Sequence, residues 1–167
     1  MSSLEIRCST VASVPLAVVA RQVTRDALGA AIRDGCGRAF AFARDHGLKP
    51  GRNVAVYRDG SIQLESGVEL QGAFEGQDGV VRSATPAGLA VSATFIGPYE
   101  RLDAAHRAIH EWCRANGYRP SGPSWEVYGH WQPEWNSDPS QVRTDVFYLV
   151  EGGTSGDADT PRPGVTS

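Results

Sequence analysis

The chain has 167 residues, of which 41% are hydrophobic and 21% charged, a balance that suits a soluble globular protein and not a disordered one. Its 16 Lys+Arg and 19 Asp+Glu leave a net charge of -3 with no basic cluster, which argues against the phosphate-neutralising face that nucleic-acid binding needs. The longest aliphatic run, Leu16–Ala20, is far short of the roughly twenty residues that cross a bilayer, and no basic segment followed by an apolar stretch marks a secretory signal.

In chain order, residues 4–11 read as a short leading strand. Pro15 then opens the strand-like run LAVVARQV, and a helix is expected over Arg25–His46. Gly47, in HGLKP, fits the left-handed position that ends a helix without steric cost. Inside that helix Gly35 and Gly37 weaken it by about 1 kcal/mol each relative to Ala; they either admit a close approach of backbone or ligand, or mark a bend. Strands NVAVY (53–57) and VELQGAFE (68–75) follow. Residues 80–85 then open a second round: AGLAVSATFI after Pro86, a helix over Tyr99–Asn116 closed by Gly117 in NGYRP, and strands SWEVY (124–128) and VRTDVFYLVE (142–151). Matching strings at an offset of about seventy residues indicate a duplication. The second helix carries Leu102, Ala105, His106, Ile109, Trp112 and Cys113 on one stripe, ready to bury against a sheet.

These elements predict an α+β fold: duplicated β-α-β-β units, each with a leading strand, forming an antiparallel sheet with two helices on one face and a ligand groove on the other. One domain is expected over 1–151, in halves of about 4–80 and 81–151. Residues 152–167, almost all Gly, Ser, Thr, Asp and Pro, are expected to be a disordered tail. Cys8, Cys36 and Cys113 are odd in number and far apart; they make neither a disulfide framework nor a metal knuckle, and are read as reduced, buried thiols of a cytoplasmic protein.

The period of two along a strand separates the side chains near the end of SWEVY. Val54 and Val56, matching Trp125 and Val127, are expected to face the helices, which leaves Glu126, Tyr128 and His130 on the opposite face with Ala55 and Tyr57. One half thus places an acid where the other places a methyl group. A carboxylate among aromatic rings loses several kcal/mol of hydration unless it is paired. A cationic ligand offsets that loss by charge pairing, and aromatic faces add about 0.5–2 kcal/mol. Acid–base chemistry is the other use of such a group. The plainer alternative is an edge-strand acid paired with an arginine such as Arg143.

Residues 86–151 resemble the GyrI-like, or transcription-activator effector-binding, family of small-molecule-binding domains through IGPYERL (96–102), EWCRANGY (111–118), GPSWEVY (122–128) and RTDVFYLVE (143–151). The first half, 15–75, fits that family's duplicated unit. The resemblance implies that Glu126 lies at the floor of a groove between the halves, where an equivalent acid in multidrug-responsive regulators pairs with cationic, aromatic ligands. It also implies that Tyr128, Tyr57 and Tyr99 line the groove. Residues 130–141, HWQPEWNSDPSQ, carry two further tryptophans, Trp131 and Trp135, which either close over the groove or cap the sheet edge. His130 and Trp135 join the candidate ligand-binding residues.

Other constellations carry less. His106 and His110 have metal-ligand spacing, but HRAIH lacks the glutamate of a zinc hydrolase motif, and neither a metal nor a cofactor is expected. No phosphate loop or nucleophile elbow appears. The leading expectation is therefore a stand-alone module that captures amphipathic, cationic or aromatic small molecules, for sensing or sequestration, with a regulatory protein partner as a possible companion. The residues ahead of Pro15 are too few for a helix-turn-helix, so direct DNA binding is not expected. The resemblance also allows an enzyme, a hydrolase of cyclopropanoid DNA-alkylating natural products with Glu126 and Tyr128 as catalytic groups, and, third, a DNA gyrase inhibitor.

Overall fold

A computed structural model of the chain describes residues 4–59 and 63–152. Apart from Gly152, the expected tail lies outside the described residues. The elements are β1 (Glu5–Val11), β2 (Pro15–Gln22), α1 (Leu28–Asp45), β3 (Asn53–Tyr57), β4 (Gln63–Glu69), β5 (Val80–Ala84), β6 (Gly88–Ile96), α2 (Asp103–Asn116), β7 (Tyr118–Tyr128) and β8 (Arg143–Gly152). Short 3-10 turns, Arg25–Ala27 and Tyr99–Arg101, lead into the two helices. Hydrogen bonding orders the strands β1-β6-β8-β7-β3-β4-β2-β5, in antiparallel ladders, so the α+β class holds.

Two compact units make up the chain. One gathers the described residues up to Ala12, Ala87–Gly122 and those from Gly129 onward; the other comprises Ser13–Pro86 and Pro123–Tyr128. In each, the leading strand of one repeat pairs with the first long strand of the other: β1 with β6, and β5 with β2.

In the first unit α2 buries Ala105, Ile109 and Cys113, the centre of its apolar stripe, and ends at Gly117 with φ 80°. Gly47 likewise has φ 69° after α1. Both glycines occupy the left-handed region that a Cβ disfavours. In the second unit Ala39, Phe42 and Ala43 of α1 pack on Ala17, Val19, Val68, Leu70 and Val80. Helix and sheet approach closely at Gly35, where an added Cβ would lie 1.9 Å from Ser66 Oγ and 2.9 Å from the Ser66 carbonyl oxygen. Ser66 Oγ donates to the Ala31 carbonyl at 3.2 Å, across the same contact. At Gly37 a Cβ would meet nothing within 4 Å. Of the two interior glycines, only Gly35 serves close approach.

β4 departs from the sequence reading. The strand runs Gln63–Glu69, not 68–75, and the chain leaves it at Leu70, two residues before Gly72 at φ 94°. Leu64, Ser66 and Val68 alternate toward the helix, while Gly67 sits where a Cβ would come within 1.8 Å of the Ala17 carbonyl oxygen. A serine and a glycine mid-strand dilute the apolar signal because close backbone approach excludes larger residues there.

β5 is held at the sheet margin by Arg58. Its Nη2 lies 2.8 Å from Glu65 Oε1 on β4, and 2.8 Å from Ser83 Oγ and 2.6 Å from the Ala84 carbonyl oxygen on β5. Ser83 Oγ in turn donates to Glu65 Oε1 at 2.6 Å. One cation thus clasps the end of β3 to two further strands.

Candidate functional site

The antiparallel register decides which face carries Glu126. Val19 pairs with Ser66, Ser66 with Ala55, and Ala55 with Glu126, so these four form one row across the second unit. Directly paired residues project to the same side of a sheet. Ser66 is bonded to Ala31 of α1, and Val19 belongs to the core beneath that helix. Glu126 therefore shares the face of α1, which corrects the expectation of a groove on the opposite face. Val54, Val56, Trp125 and Val127, expected to face the helices, point the other way. Periodicity could not discriminate, because these four are buried too, at 0, 0, 3 and 6% exposure. The usable signal was size: Ala55, Ser66 and Gly35 are small because the helix comes close.

On the α1 face Glu126 stands among aromatic hydroxyls. Its Oε1 accepts from the Tyr57 hydroxyl at 3.2 Å and from the Tyr128 hydroxyl at 2.5 Å. Glu126, Tyr57 and Tyr128 are 5, 7 and 9% exposed. β7 delivers Glu126 and Tyr128 two residues apart, and β3 delivers Tyr57 two residues from Ala55, opposite Ser124. Burial first, and then the neighbouring Glu126 carboxylate, pushes the Tyr128 phenol well above its ordinary value. Tyr128 thus stays a protonated donor throughout the neutral range. The Cys36 thiol of α1 lies near enough to act electrostatically on Tyr128, and is itself raised to about 11 by burial. Ser124, 3% exposed and paired with Tyr57, shares this face. Sequence reasoning did not place Cys36 or Ser124 at the site; for Ser124 the signal was a small polar residue two positions before Glu126 on the same strand.

The remaining candidates belong to the other unit. Tyr99 is 44% exposed in the turn before α2. His130 is exposed just beyond β7. Trp135 is buried, edge-on to the exposed Trp131 with ring centroids 5.3 Å apart. Gly129 leaves room for it, since a Cβ there would come within 3.2 Å of Trp135 Cη2 and of the Arg143 carbonyl oxygen. Trp135 Cη2 thus lies beside Gly129, near the start of β8. Arg143 forms an ion pair with Asp145 at 3.3 Å. His106 hydrogen-bonds the Tyr148 hydroxyl through Nδ1 at 2.7 Å, and His110 meets the same ring edge-on at 4.7 Å. Burial, with His106 and Arg114 nearby, lowers the His110 pKa. Among the described residues, no group of three or more His, Cys, Asp or Glu is placed to hold a metal ion, and no helix is long and apolar enough to cross a membrane.

The chemistry available at Glu126 is that of a negative oxygen steadied by two neutral donors and bordered by aromatic rings. Such a group attracts a cation, or exchanges a proton with a bound molecule.

Solved structures share this fold. The crystal structure of the EcmrR C-terminal domain matches with a TM-score of 0.71 at 17% identity, over 89% of this chain and 98% of that one. SAV2435 bound to tetraphenylphosphonium matches at 0.63 and 12% identity, over 89% and 94%. A hydrolase encoded by lin2189 from Listeria innocua matches at 0.61 and 11% identity, over 88% and 92%. At these identities the likeness is one of fold. No curated protein sequence matches the chain. The sequence model of the GyrI-like small molecule binding domain matches residues 5–151, nearly the whole described chain, and the protein belongs to that family.

Proposed function

We propose that the ligand of this GyrI-like domain is an amphipathic aromatic cation, taken at the face that carries Tyr57, Glu126 and Tyr128, and that the protein senses or sequesters it. The observation that carries this reading is a carboxylate 5% exposed whose Oε1 is bonded by two neutral phenols. A carboxylate in so buried a setting attracts a cation more strongly than it would in water. Tetraphenylphosphonium bound to SAV2435, a protein of the same fold, is a ligand of this chemistry. A regulatory partner chain would carry a sensing role further. Calorimetric titration with tetraphenylphosphonium tests the reading. Binding should weaken about tenfold or more in Glu126→Gln, equivalent to at least about 1.4 kcal/mol. Equal affinity in the two chains, or no binding by the wild type, would overturn it.

A second reading is favoured by the 2.5 Å bond between Tyr128 and Glu126. A carboxylate able to take a proton from water, beside a phenol able to give one to an opening carbon ring, is a set for hydrolysing a cyclopropanoid alkylating agent. The Listeria innocua hydrolase shares the fold. Mass spectrometry after incubation with such a compound should then show one water added, lost in Glu126→Ala and in Tyr128→Phe. Unchanged substrate would leave binding alone.

A further inference from the structure

Both helices close with the same small device, built from different side chains. His46 precedes Gly47 and donates from Nδ1 to the Phe42 carbonyl at 2.9 Å; Asn116 precedes Gly117 and donates from Nδ2 to the Trp112 carbonyl at 2.8 Å. Each bond satisfies a carbonyl in the last turn, where a helix leaves such groups short of amide partners. Both glycines lie at positive φ, 69° and 80°. The two side chains are equivalent as caps but not as chemicals. Only the asparagine carries a carboxamide carbon that the next backbone nitrogen can attack to form a five-membered ring, and glycine, having no side chain, hinders that attack least.

In the folded chain both reacting groups are engaged. The Gly117 N–H bonds the Cys113 carbonyl, and the Asn116 amide is turned back to Trp112. These bonds belong to the last turn of α2, where Asn116 is half-buried and Gly117 exposed, so fraying of the helix end releases them without global unfolding. We propose that Asn116–Gly117 is a modification site, closed in the folded chain and opened when that turn frays. The Gly117 nitrogen, its proton taken by solvent base, bonds to Asn116 Cγ; the Cγ–Nδ2 bond breaks and ammonia leaves. Water then opens the cyclic imide at either carbonyl, giving aspartate or isoaspartate. Neither product can cap Trp112, because a carboxylate donates no hydrogen bond, and its charge opposes the negative end of the helix. The converted turn stays loosened, beside the stacked rings of Trp112 and Tyr118, whose centroids are 5.7 Å apart.

Ageing of the full chain in mildly alkaline buffer, followed by peptide mapping and isoaspartyl-methyltransferase labelling, tests the site. Conversion at Asn116 should run about tenfold or more faster in denaturing urea than in native buffer, and should rise already at urea concentrations below the unfolding transition. Asn116→His, which gives the second helix the cap of the first, should abolish the label. The aged, converted wild type should unfold at lower urea than the fresh protein. Equal rates in folded and unfolded chains would overturn the gating. An absence of conversion at Asn116 in urea, or a label that persists in Asn116→His, would overturn the site itself, and an unchanged urea midpoint after ageing would overturn the loosening of α2.

Discussion

Replacing Tyr128 by Phe deletes a single oxygen, yet it withdraws the shorter of two hydrogen bonds from a carboxylate that is 5% exposed. A hydrogen bond to a charged buried group contributes about 1.5–3 kcal/mol, so Tyr128→Phe should lower unfolding stability by that order in urea denaturation. Tyr57→Phe, losing a 3.2 Å bond, should cost less. Equal losses would mean that the two phenols share the charge evenly. At this scale the sequence singled out Glu126 as a candidate, because Ala55 and Glu126 break the similarity of the two repeats. It was uninformative about the face, because apolar residues line both sides of β3 and β7 and only cross-strand pairing resolves them.

Among the elements, α1 offers a sharp comparison. Gly35→Ala places a methyl group 2.9 Å from a backbone oxygen, which no rotamer change relieves, and should destabilise by about 1–3 kcal/mol despite the better helix former. Gly37→Ala meets nothing within 4 Å and should stabilise by about 0.5–1 kcal/mol. Guanidinium denaturation of both variants checks the pair, and loss of stability in Gly37→Ala would show that its helix position demands more than space. Ser66→Gly in the Gly35→Ala background should recover only part of the loss, since the carbonyl contact persists. Helices were legible to within a few residues because their apolar stripes and closing glycines are local signals. β4 was misplaced because its strand character depends on β2 and β3, through Gly67 and Ser66, rather than on its own hydrophobicity.

For the whole molecule, the buried thiols set a limit at high pH. Burial raises Cys36 and Cys113 from 9.0 to about 11. The unfolded chain ionises these thiols first, so it binds fewer protons than the folded chain between those values. Stability from this source is complete below about pH 9 and is lost as pH rises toward 11. Urea midpoints should therefore be level near neutrality and fall from pH 9 upward; a Cys36→Ala, Cys113→Ala chain, weaker throughout, should show a shallower fall. An identical slope would assign alkaline unfolding to other groups. The repeat was readable from matching strings at this scale. The exchange of leading strands, β1 onto β6 and β5 onto β2, was not, since alternation marks a strand without naming its neighbour.

The guanidinium of Arg58 has a bearing on colloidal behaviour. β5 is the terminal strand of its ladder, and Val81 on it is 44% exposed. Arg58→Lys keeps the charge but cannot span Glu65, Ser83 and the Ala84 carbonyl at once. β5 amides should then exchange with deuterium faster than those of β2, as the outer strand frays. Each such opening bares the hydrogen-bonding edge of Leu16–Val19, an apolar template onto which another chain can add. A one-residue clasp therefore guards the protein against self-association, and light scattering of the lysine variant should rise with concentration where the parent stays monodisperse.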